Sequence, residues 1–96
     1  MTDPLVDLQS WYRKQCNGDW EHQYGIRVET LDNPGWTLAV DLHGTALAGR
    51  TFPVQELKGD VSWYVCRIEG EQFKAYCGPA HLGAVIQIFL NWATPT

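Results

Sequence analysis

Asp19, Glu21 and His22 surround Trp20 in the run "CNGDWEHQYGI". Two carboxylates beside an imidazole are the groups that general acid–base or metal chemistry uses. His43, His81 and the cysteines at 16, 66 and 77 add further ligand types suited to zinc. The spacing argues against such a centre. No HxxxH or CxxC pair brings two ligands together by local geometry. On a regular strand Glu21 and His22 would point to opposite faces and could not share an ion. We expect no metal site and no cofactor.

A nucleophile fares little better. Cys77 precedes Gly78-Pro79 near the start of a predicted helix, where a thiolate is favoured. The alternation nevertheless groups Cys77 with Phe73 and Ala75, which makes it a small buried hydrophobe. The chain has no strand–turn–helix nucleophile elbow, and no glycine-rich phosphate loop precedes a helix. No catalytic residue is assigned. Two alternatives stay open on the residues alone: a small hydrolase or nucleic-acid-modifying enzyme using Glu21 and His22, and a small-ligand module lined by Trp20, Tyr24 and Trp63.

The elements that position these groups follow from periodicity. Asp3-Pro4 is a helix-start signal, and Leu5, Leu8, Trp11 and Tyr12 recur at helical spacing to about Gln15. Asn17-Gly18 stops that helix. Trp20, His22, Tyr24, Ile26 and Val28 then alternate with Glu21, Gln23, Arg27 and Glu29, so 22–42 reads as a hairpin turned at "DNPG", where glycine permits positive φ. "RTFPVQEL" suits a short edge strand, because Pro53 would spoil a central one. "VSWYVCRIE" (61–69) is apolar on both faces and periodicity does not orient it. With Tyr64, Cys66 and Ile68 inward, Trp63, Val65 and Arg67 would stand on the open face. "QFKAYC" is the last strand, and a closing helix carries Leu82, Val85, Ile86, Phe89, Trp92 and Ala93 in one stripe.

The expected fold is α+β: a four- to five-stranded, mostly antiparallel sheet with an N-terminal and a C-terminal helix packed on one face. Short links between strands favour a meander. At 96 residues the chain suits a single domain, 1–96.

The net charge of −4 is uneven. Residues 1–41 hold seven acids against three bases, and from 42 onward four acids meet four bases. That balance speaks against direct nucleic-acid binding, which needs a basic footprint, and fits a basic partner. No apolar run approaches the length that spans a bilayer. The odd cysteine count without CxxC, and the lack of a signal pattern, point to a reduced cytoplasmic home.

The runs "WYRKQCNGDWEHQYGI" and "DNPGW", with the tryptophan and cysteine of 61–69 and the closing "FLNWA", resemble the immunity protein 53 family of bacterial polymorphic toxin systems. The resemblance covers nearly the whole chain. It implies a non-enzymatic cytoplasmic protein that binds and neutralises a cognate protein toxin by covering its active site or substrate path. A basic nuclease-type toxin domain is the kind that an acidic and aromatic surface would suit. On that reading Asp19, Glu21 and Glu29 carry the contact, His22 and Tyr24 shape it, and Arg27 and Trp63 complete the partner-binding set.

Overall fold

A computed structural model describes residues 3–60 and 62–93. Helix α1 (Pro4–Gln15) starts where Asp3 accepts the Leu5 N–H at 2.9 Å, with Pro4 in the first turn. The side chain thereby satisfies one of the amides that a helix start leaves unpaired. A single helical turn, α2 (Trp20–Gln23), follows. Then come β1 (Ile26–Leu31), β2 (Gly35–Asp41), β3 (Gln55–Leu57), β4 (Tyr64–Glu69), β5 (Gln72–Cys77) and α3 (Leu82–Ala93). Val61, the first residue of one expected strand, lies outside the described residues.

The strands form one antiparallel sheet in the order β1-β2-β5-β4-β3. Two expectations are corrected here. The "DWEH" run is helical, and the hairpin begins at Ile26. The sheet is also no simple meander, because β5 and not β3 lies beside β2. The long 42–54 connection carries the chain to the far edge. Buried Leu47 pins it, as does Phe52, edge-on to Phe73 at 5.3 Å and to Trp92 at 5.4 Å. The β4–β5 link holds Gly70 at φ 61°, as the first residue of a two-residue hairpin turn of the II′ kind requires.

Leu38 and Val40 of β2, Cys66 of β4, and Phe73, Ala75 and Cys77 of β5 point to one face, where they meet Val85, Ile86, Phe89 and Leu90 of α3. The buried stripe on α3 therefore adds Leu90 to the expected Val85, Ile86 and Phe89, while Leu82, Trp92 and Ala93 are half-buried. Helix α3 lies on β2 and β5, and α1 packs on α3 through Leu8 and Trp11. Trp11 meets Phe89 edge-on at 5.0 Å. The inward set on β4 leaves Trp63, Val65 and Arg67 to the opposite face. None of the described helices covers that face.

Candidate partner-binding face

The α2 turn is built by side chains that replace missing backbone partners. Asn17 Oδ1 accepts the N–H groups of Asp19 and Trp20, at 3.0 and 2.9 Å. The Glu21 carboxylate accepts the N–H groups of Asn17 and Gly18, both at 2.8 Å. Four amides at the start of a short turn are thus satisfied locally, which makes the helical conformation preferable to a strand. The turn drives Trp20 inward, where its ring meets Trp11 edge-on at 6.4 Å and its Nε1–H donates to the His43 carbonyl at 2.8 Å. Tyr24 closes the turn with its N–H on the Trp20 carbonyl, and its ring lies 5.0 Å from His43.

This arrangement changes the role of Glu21. Its own backbone N–H, then those of Asn17 and Gly18, together with nearby His22, hold the carboxyl below the usual carboxylate range. A carboxylate so engaged is a weak general base. Asp19 and His22 project outward from the same turn; Asp19 accepts a long contact from Gln23 Nε2 at 3.4 Å.

The open sheet face continues from α2 in cross-strand rows. Asp41 and Gln72 form the first. Asp41 accepts the Gly25 N–H at 3.0 Å and the Gln72 side-chain amide at 2.8 Å. Next comes Arg27–Ala39–Lys74–Arg67, then Glu29–Thr37–Tyr76–Val65–Glu56. Neighbouring strands lie about 4.8 Å apart, so the Arg27 and Arg67 backbones stand roughly 14 Å apart. Trp63 closes the far end, against Gly35. Arg67 pairs with Glu69, and its guanidinium lies 5.5 Å from the centre of the Tyr76 ring.

A polar cleft of about 280 Å³ joins the two parts; Glu21, His22, Tyr24, Arg27, Asp41 and Gln72 are among its walls. Of the seven residues singled out from the sequence, Glu21, His22, Tyr24 and Arg27 line this cleft, and Glu29 and Trp63 belong to the open sheet face. Asp19 stands at the start of α2 on the side toward His43. Lys74 and Tyr76 were missed. The alternation of "QFKAYC" carried the signal, since both stand opposite in parity to buried Phe73, Ala75 and Cys77.

The family model described as immunity protein 53 matches residues 5–94 of the chain. The chain belongs to that family. No curated protein and no solved structure matches it. The match runs from α1 through α3 and includes every residue of the face just described.

Membership makes the protein an immunity protein, with a cognate toxin as its partner. Among the described residues, no three His, Cys, Asp or Glu side chains gather in a way that could hold a metal ion. None of the described helices is long and apolar enough to cross a membrane. The face of this immunity protein is mixed in charge. Its middle row contributes Arg27, Lys74 and Arg67, and the acids Glu29, Glu56, Asp41 and Glu69 flank that row.

Proposed function

We propose that this immunity protein neutralises its toxin in the cytoplasm by laying α2 and the open sheet face across the toxin's active site or substrate path, without catalysis of its own. The observation that carries this reading is the grouping of exposed Arg67 with half-buried Trp63 and Tyr76 on a sheet face that the described helices leave bare. Aromatic and arginine side chains are the commonest carriers of binding energy at protein interfaces. Asp19 and Glu29 supply negative charge at the rim, where it speeds encounter and selects the partner. Such charge suits a basic, nuclease-type toxin cleft, with carboxylates standing where substrate phosphates would. Glu21 acts mainly by holding the turn that presents Asp19 and His22. Arg27 and Tyr24 line the cleft between turn and sheet. The engagement of Glu21 by backbone amides counts against a hydrolase built on Glu21 and His22.

The test is calorimetric and kinetic titration of the purified toxin domain with the wild type, Trp63→Ala and Asp19→Ala. Trp63→Ala is expected to weaken binding by about thirtyfold or more, mainly through faster dissociation. Asp19→Ala is expected chiefly to slow association, and less so at high salt. Unchanged affinity in a correctly folded Trp63→Ala protein would move the interface off this face.

A further inference from the structure

The two edges of the sheet differ. Strand β3 has three residues and follows Pro53, and Lys58 comes directly after it. Such short, charged edges resist pairing. Strand β1 has six residues, contains no proline, and exposes Val28 by 42% on the helix side of the sheet.

The β1–β2 ladder determines which backbone groups of β1 are spare. Ile26 lies opposite Val40, and the Asp41 N–H donates to the Gly25 carbonyl at 3.0 Å. Ile26 and Val40 are therefore a non-hydrogen-bonded pair, and the pattern alternates along the strand. Arg27, Glu29 and Leu31 turn their backbone groups toward β2. Ile26, Val28 and Thr30 turn theirs outward, where they meet no partner among the described residues.

We propose that β1 pairs antiparallel with β1 of a second copy of this chain, about a two-fold axis at Val28. Three features of the strand agree on that register. The outward-facing residues meet one another: Ile26 lies opposite Thr30 of the other copy and Val28 opposite its counterpart, so every spare backbone group finds a complement. On the open face, Arg27 of each copy lies opposite Glu29 of the other, making two opposite-charge cross-strand pairs. On the helix side, the two Val28 side chains cover each other. A groove of about 290 Å³ beside this edge, lined by Leu8, Gln9, Tyr12, Gly25 and Ile26, adds apolar surface next to the junction. An isologous contact of this kind is self-complementary and closes at two subunits. It merges two sheets into one and sets the two open faces side by side. The inference does not depend on how the toxin is bound.

The test uses the protein alone, by sedimentation equilibrium over a range of concentrations. The wild type should show a concentration-dependent dimer. Arg27→Glu and Glu29→Arg each place like charges opposite one another, and each should weaken self-association by about tenfold to a hundredfold. An equimolar mixture of the two variants should recover dimerisation, because each supplies the charge that the other lacks. The double variant should recover it too. Val28→Pro removes an N–H that β2 does not use and should abolish the dimer, with circular dichroism confirming the fold. A wild type that stays monomeric up to millimolar concentration would overturn the proposal. So would single variants that dimerise as the wild type does, or a mixture no better than its components.

Discussion

Trp63 packs against Gly35 across the open face: its Cζ2 lies 3.4 Å from where a Cβ at residue 35 would stand. The same Cβ would collide with the Cys77 carbonyl on the neighbouring strand. Gly35 is therefore needed for close approach of β2 to β5 and to the indole. It does not adopt positive φ, as the "DNPG" turn suggested it would.

Gly35→Ala should accordingly cost about 1–3 kcal/mol, the usual range for forcing a methyl into a packed site. Urea denaturation would measure it. Stability equal to wild type would show that Trp63 and β5 do not close over this position.

Glu21 provides a pH-dependent prediction. Its folded-state pKa is depressed by backbone N–H donors, its own first and then those of Asn17 and Gly18. A depressed carboxylate contributes stability that is present above its unfolded pKa and is lost as pH falls through the folded pKa. Glu21→Gln should therefore lower the melting temperature at neutral pH, and the gap from wild type should close as pH falls below about 4. Paired thermal scans across that range would check it. A constant gap at all pH values would remove the carboxylate from the explanation.

These two sites show what could be read from the sequence and what could not. Long periodic segments were legible: α1 from its cap and Leu8–Trp11 spacing, α3 from its stripe, β2 and β5 from clean alternation. The α2 turn was not, because Trp20, His22 and Tyr24 fit a two-residue period that continues into Ile26 and Val28. Side-chain bonds from Asn17 and Glu21 outweigh that pattern over a stretch too short for helical periodicity to register. Strand β4 carries apolar residues on both faces, so only its pairing with β5 orients Trp63. The β2–β5 pairing joins residues far apart in the chain, and no local signal announces it. Of the candidate site, the acidic turn and β1 were legible by residue type. Arg67 was legible there only on the condition that Tyr64, Cys66 and Ile68 face inward, and the contribution of Lys74 emerged only when the pairing brought it into one row with Arg27 and Arg67.

Trp20 should be the α2 residue most costly to remove. It is buried, edge-on to Trp11, and bonded to the His43 carbonyl. Trp20→Ala should lose about 3–5 kcal/mol, within the range for deleting a large buried aromatic side chain. Trp20→Phe keeps a ring but drops the N–H donor, and should lose about 1–2 kcal/mol. Chemical denaturation of the pair separates packing from hydrogen bonding. Equal losses would mean that the bond to His43 dominates.

The cysteines should divide by burial. Burial, with Cys77 close by, pushes the Cys66 thiol up to about 12, and burial also raises Cys77. Cys16 is half-buried at the end of α1, its thiol 3.4 Å from the Tyr12 carbonyl. Only the thiolate is nucleophilic, so a shift from about 8.5 to about 12 cuts the reactive fraction at pH 8 on the order of a thousandfold. Under native conditions iodoacetamide should therefore modify Cys16 first, while Cys66 and Cys77 react only as fast as the protein unfolds. The same shift sets the alkaline limb of stability. A thiol whose folded pKa is raised contributes stability that is complete below its unfolded pKa and is lost as pH rises from there toward the folded value. Stability should thus decline above about pH 8.5, and Cys66→Ala should flatten that decline. Peptide mass spectrometry of the alkylated protein checks the first outcome, and denaturation across the alkaline range checks the second. Early modification of Cys66 would mean that α3 lifts from the sheet without global unfolding.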